Sequence, residues 1–204
     1  MEAPANIASA ATASLPLKGK GFAVRALAFL VDVLVQVVLF LAAQLAAVAI
    51  LVVPVIVIQL ATGREIATDA SGVSGLSGIL MVLVGVLYFA FFEWLYGASP
   101  GKVLLRMRVI RIDGGPLSFG KALARSLWRL LDFIGFGLVA WGRMKRPLYQ
   151  RVGDQQTGTV VVSSKDPIVQ KHFRKRDFVL ALVLSFGVTV VVACVVVVLM
   201  IRLK

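Results

Sequence analysis

A chain of 204 residues that is 59% hydrophobic, with a mean hydropathy of +0.93, is too apolar for a soluble globular domain, where apolar residues make up about 45–50%. The formal net charge is +12. It lies between and beside long apolar runs, where basic residues set membrane topology, so nucleic acid is excluded as a partner and an integral membrane protein is expected.

Residues 1–16, rich in Ala, Ser and Pro, carry no basic n-region and read as a disordered cytoplasmic tail rather than a secretory signal. The first apolar run, about Phe22 to Ala61, holds only two charges, Arg25 and Asp32. They stand seven residues apart, two helical turns, and share one face with Gln36. Pro54 is expected to end the regular helix near Val53. A carboxylate inside a span costs about 2.5–3.5 kcal/mol on insertion scales and faces other helices or water. Asp32 therefore marks a functional or a structural site.

A polar Gly/Ser-rich connection over 62–78 leads to a second span, about Ile79 to Tyr96. Its one charge is Glu93, near the end, which either reaches the headgroups or pairs with a cation. The turn Gly97-Ala98-Ser99-Pro100-Gly101-Lys102 lacks the spacing and the Ser/Thr of a phosphate-binding loop, so no nucleotide site is expected. A β-like stretch follows between Val103 and Ile112, closed by the turn at Asp113-Gly114. A helix then starts at Ser118. Lys121, Arg125, Arg129 and Asp132 form a polar stripe on it, with Leu123, Leu127, Trp128, Leu130 and Leu131 on the other faces. This basic amphipathic helix suits the membrane surface or another helix.

Whether 118–141 crosses the bilayer stays open. Sixteen of the 22 Lys and Arg lie between Gly97 and Arg176, and a full crossing would strand nine of them outside, so an interfacial or partly inserted helix is favoured. Gly153-Asp154 reads as a turn. Thr159 to Ser163 is β-prone and is the natural partner of the earlier strand, in a small cytoplasmic hairpin. The basic run Lys171 to Arg176, with the lone His172, anchors a last span from Phe178 to Ile201.

These pieces in this order resemble the RDD family of bacterial membrane proteins, named for an arginine and two aspartates. Arg25 and Asp32 occupy the place of its first two residues, at the head and in the middle of the first span. The turn Ser99 to Lys102 with Arg108, Asp113 and Gly114 matches a second motif. The helix with Ala122, Arg125, Arg129 and Asp132 matches a third. The closing stretch from Gln150, Arg151, Gly153 and Asp154 to Gly158, Thr159 and Val161 matches a fourth. The second family aspartate is Asp132 or Asp154. The resemblance covers about 20–163 and leaves the last span outside the family core. It implies fold and membership, with transport suspected for some members.

The fold expected is an all-α transmembrane helical bundle of three to four apolar helices, with the basic amphipathic helix and the β-hairpin. The chain divides into the tail (1–16), an RDD-like membrane domain (17–163), a basic linker (164–177) and an additional C-terminal transmembrane helix (178–204). The localisation expected is the inner (plasma) membrane, multi-pass, with the N-terminus cytoplasmic.

Two functions compete. In one, Asp32, with Gln36 and Glu93, exchanges protons or cations in a small-solute or ion transporter. In the other, Arg25, Asp32, Arg125, Arg129, Asp132 and Asp154 form a structural ion-pair network in a non-catalytic scaffold or assembly module. On this second reading Asp32 meets Arg125 or Arg129, and Arg25 meets a later aspartate. One histidine and no nucleophile–base spacing argue against an enzyme, a metal site or a cofactor. The partners expected are the bilayer, anionic lipids at the basic face, and a homo-oligomer or a protein partner.

Overall fold

The computed structural model describes residues 17–63, 66–68, 74–134, 141–142, 144, 148–166, 169 and 173–203. The tail 1–16, His172 and the stretch 135–140, which bears on whether 118–141 crosses, lie outside the described residues.

Helix α1 (Phe22–Ala47) runs into one π turn (Val48–Val52) and then α2 (Val53–Thr62). Pro54 does not end the helix. The π turn widens the ladder just before it, with Val53 N–H reaching back five residues to the Val48 carbonyl. The missing N–H of Pro54 then falls at the joint between two ladders, where no regular bond is lost. The result is one stretch of 41 residues, Phe22–Thr62, about 60 Å long. Its end is capped by Gly63 in the left-handed conformation.

Two more helices are long and apolar enough to cross a membrane. One is α3 (Ser74–Leu95) and the other is the last helix (Lys175–Met200). The last helix packs against α1 and α3. Its buried positions are Ala181, Ser185, Thr189 and Ala193, and those of α1 include Ala28, Ala43 and Ala47. Small residues every fourth position let backbones approach closely where lipid offers no hydrophobic drive. Leu34, Leu45, Leu60, Ile79 and Val191 point outward and exposed, as a lipid-facing surface requires. An aromatic cluster of Tyr88, Phe89 and Phe92 with Phe29 and Phe178 fills the contact between the three spans.

Between α3 and the last helix the chain builds a compact layer. It consists of α4 (Pro100–Leu104), β2 (Met107–Arg111), α5 (Phe119–Ile134), α6 (Val152–Thr157) and β3 (Thr159–Ser163). Strands β2 and β3 pair antiparallel, Met107 opposite Ser163 and Arg111 opposite Thr159. The pairing is the one the sequence suggests, but the connection is not a hairpin, because α5 and α6 intervene. Side chains alternate across the sheet. Met107, Val109 and Val161 pack with Ala28, Leu117 and Ala122 on one face. Ile110, Val160 and Val162 pack with Val169 on the other. Two strands alone are marginal; here both faces are covered. Arg108 closes the second face, its guanidinium 3.5 Å from the ring centre of Tyr96 and 5.0 Å from that of Phe173.

Three local features differ from the sequence reading. The turn at Pro100 is a helical turn, α4, and the strand begins only at Met107. Gly153-Asp154 lies inside the short helix α6, whose Asp154 side chain accepts from the Arg151 backbone N–H at 3.1 Å. Finally β1 (Ile66–Thr68) pairs antiparallel with β4 (Ile201–Leu203), joining the far ends of the first and last spans. Three-residue strands leave no periodicity to read.

Candidate functional site

The charged residues of the spans meet those of the compact layer at one place, where α1, α3, α4, α5 and α6 converge. Helix α5 starts beside the last turns of α3, with Phe119 against Phe91 and Trp94. Residues at i and i+4 share a helix face, so Arg125 and Arg129 both point at α3. There they meet Glu93, which is fully buried. Its Oε2 accepts from Arg125 Nε at 2.9 Å, and its Oε1 from Arg129 Nη2 at 2.6 Å and from the Lys102 ammonium. The Arg129 guanidinium also lies 3.7 Å over the Phe89 ring. Of the two roles open to Glu93, the structure places it among three cations rather than at the headgroups.

Asp154, also fully buried, is the second node. Its Oδ2 accepts from Arg25 Nη2 at 2.5 Å, and its Oδ1 from Arg125 Nη1. Arg25 Nη1 donates to the Tyr149 carbonyl at 3.0 Å, and Arg125 Nη1 also reaches the Thr159 hydroxyl at 2.6 Å. Arg25 is thus met by Asp154. Asp132 instead takes Arg151 Nη1 at 2.8 Å. Arg125 bridges the two nodes, so the cluster is continuous from α1 through α6 and α5 to α3 and α4.

Asp32 is not met by Arg125 or Arg129. Its Oδ2 accepts from the Ser99 hydroxyl at 2.5 Å, and its Oδ1 from the Gly101 backbone N–H at 2.7 Å and from the Tyr88 hydroxyl at 3.3 Å. All three donors are neutral, and among the described residues Asp32 takes part in no ion pair. The carboxylate caps the start of α4, supplying an acceptor for a backbone N–H that has no partner within the helix. Gly101 makes this approach possible: a Cβ there would lie 2.0 Å from the Ala28 carbonyl oxygen of α1. Gly153 plays a matching part, because a Cβ on it would lie 2.7 Å from Trp128 Cβ, holding α6 off α5. Gln36 stays outside the cluster and sits by Gly85 of α3, where a Cβ would be 3.5 Å from its amide nitrogen.

The basic stripe of α5 is turned inward. Arg125 and Arg129 are buried, while Leu127, Leu130 and Leu131 are exposed. The apolar face, not the charged one, is the outer face of this helix, so its two central arginines are spent on protein contacts instead of facing a lipid surface.

Burial and pairing act against each other on these groups. Burial lowers the Lys102 ammonium to about 8, against the attraction of Glu93. Burial would raise the Asp154 carboxyl, but Arg125, Arg25 and Arg151 outweigh it and hold it well below the usual carboxylate range. Burial would likewise lower Arg125, yet Asp154 and Glu93 lift it above the ordinary guanidinium value.

The motifs that carry the resemblance are the residues that converge. The sequence matches the RDD family over residues 20–203. The chain belongs to this family. The match runs past the motif-bearing stretch and includes the last helix, so the family region is longer than the 20–163 that the motifs alone cover. Curated proteins and solved structures show no match to the chain.

In this RDD protein the family arginine, Arg25, and the aspartate of the closing motif, Asp154, are bonded to each other, whereas the aspartate in the middle of the first span is not bonded to either. Ser99, Lys102, Arg151 and Thr159 also belong to the cluster and show in the sequence only as motif positions, not as site residues, while Tyr88 carries no signal there. The turns of the second and fourth motifs, S-P-G-K and Q-R-x-G-D, are where the signal for Ser99, Lys102 and Arg151 resides, since they hold these residues in fixed places beside the cluster glycines.

Proposed function

We propose that this RDD protein is a non-catalytic membrane module of the bacterial inner membrane. In it the intramembrane charges are structural, clamping a basic cytoplasmic platform onto the three spans for assembly with a partner protein or a second copy. The observation that carries this reading is that Asp32 in the first span and Glu93 in the second are each held by three donors from the protein itself. A carrier site has to open to solvent and release its ion; a carboxylate held by three fixed protein donors is instead a joint. The positive-inside rule supports the orientation, with the N-terminus and the layer between α3 and the last helix in the cytoplasm.

A second reading, transport of a proton or small cation, is favoured by one feature. Asp32 accepts from three neutral donors, and among the described residues no ion pair fixes its charge. The test is a flux assay on the purified protein in liposomes holding a pH dye, under an imposed sodium or proton gradient. The module reading predicts flux no greater than in empty liposomes, for wild type and for Asp32→Asn alike. Flux in wild type that disappears in a folded Asp32→Asn variant decides for transport.

A further inference from the structure

The cluster is not balanced within itself. Five bases, Arg25, Lys102, Arg125, Arg129 and Arg151, stand against four acids, Asp32, Glu93, Asp132 and Asp154. One of the acids, Asp32, faces only neutral donors. Three guanidinium nitrogens in the same place are buried and lack a hydrogen-bond partner among the described residues: Arg125 Nη2, Arg129 Nη1 and Arg151 Nε. Nε of Arg151 comes no nearer to Asp154 Oδ1 than 3.8 Å. Two of these arginines stand on one face of α5, and the third, Arg151, stands at the start of α6 and reaches that face through Asp132. Arg125 and Arg129 are one turn apart, and Arg151 is held by Asp132, three residues beyond Arg129.

Glu93 takes Arg125 Nε and Arg129 Nη2, Asp154 takes Arg125 Nη1, and Asp132 takes Arg151 Nη1, which leaves these three nitrogens. Burial lowers the Arg129 guanidinium against the attraction of Glu93, and the like charges of Arg151 and Arg125 lower it further. Buried N–H groups of a cation are costly to leave unmade, and a neutral water would satisfy a donor without offsetting the excess charge. A carboxylate offers two oxygens, whereas a phosphate offers a third and accepts from several forks at once. The three nitrogens are buried but lie near the rim, where the side chains of Arg151 and Asp132 are each 13% exposed and that of Arg129 is 10% exposed.

We propose that the arginine face of α5 holds a phosphate group, received by Arg125 Nη2, Arg129 Nη1 and Arg151 Nε. The phosphate is either free or the headgroup of a phospholipid, and the site is independent of whether the protein is a scaffold or a carrier.

The test follows thermal unfolding of the full chain in dodecyl maltoside, because a ligand of the folded state raises the midpoint with its concentration. One arm adds inorganic phosphate against chloride at equal ionic strength. The other adds dihexanoyl phosphatidylglycerol against a glucosyl diacylglycerol of the same chain length. Saturable protection in the phosphate arm identifies a free phosphate as ligand, and protection in the phospholipid arm alone identifies a headgroup. Arg129→Lys keeps the charge beside Glu93 but removes the fork nitrogen, and it should raise the half-saturating concentration at least fivefold; Arg151→Lys gives the same readout should Arg129→Lys fail to fold. Protection no greater than with chloride and glycolipid in either arm, or an unchanged half-saturation in both lysine variants, overturns the assignment.

Discussion

At the scale of single residues the cluster separates acids that the sequence alone presents as equivalents. Asp154 sits between Arg25 and Arg125 with both oxygens engaged. Removing one partner of a buried pair costs about 3–5 kcal/mol, because the remaining charge is left uncompensated, so Asp154→Asn is expected to lower stability by that order in a reversible detergent-unfolding titration. The pH dependence follows from the direction of its shift. A carboxyl held below its unfolded value of 3.8 contributes stability that is fully present above that value. The contribution is lost as pH falls from there toward the folded value. Wild type should therefore lose stability steeply below pH 4, and Asp154→Asn should flatten that part of the profile; parallel profiles would count against the assignment. The partner of Asp32 was illegible for a physical reason. A hydroxyl and a backbone N–H carry no charge, so nothing in composition or spacing singles out Ser99 or Gly101, while Arg125 and Arg129 present themselves as the obvious counter-ions.

Elements show how local rules and tertiary packing divide the work. The spans were legible because uncharged runs of that length have one physical outcome in a chain this apolar. The polar stripe of α5 was equally legible from its i, i+4 spacing, but its direction was not. The same amphipathic pattern fits a helix with its charges toward water and one with its charges toward a buried cluster, and only the positions of Glu93 and Asp154 decide between them. Pro54 illustrates the reverse case, a strong local breaker absorbed by a π turn. The α1–α4 contact depends on backbone approach at Gly101. Gly101→Ala places a methyl group 2.0 Å from a main-chain carbonyl oxygen, and main chain cannot swing aside as a side chain can. Overpacking of this kind costs about 1–3 kcal/mol or more, so the unfolding midpoint of Gly101→Ala should fall, while alanine at Gly120, which faces open space, should leave it unchanged or raise it.

For the whole molecule, the helix ends gather into two groups. The start of α1, the end of α3, the compact layer and the start of the last helix gather at the cluster and the β2–β3 sheet. The ends of α2 and of the last helix gather at the β1–β4 pair. Three helices are long and apolar enough to cross a membrane, and the proposed orientation puts these two groups on opposite sides of it. With Cys194 replaced by Ser, a single cysteine at Lys165 should react with a membrane-impermeant maleimide only after right-side-out cells are opened. One at Thr68 should react in intact cells. The reverse pattern would invert the proposed orientation. The positive-inside charge count had already grouped the basic residues on one side; the β1–β4 pair, three residues a strand, lay below what sequence periodicity can carry.

Arg25 and Asp154 link the first span to the compact layer. A double-mutant cycle with Arg25→Gln, Asp154→Asn and the pair of changes together measures that link by reversible detergent unfolding. Structural coupling predicts that the double change costs less than the sum of the single ones by about 2 kcal/mol or more, within the range seen for residues in one network. Losses that add to within about 0.5 kcal/mol, as for distant independent sites, would contradict a clamp built on these charges.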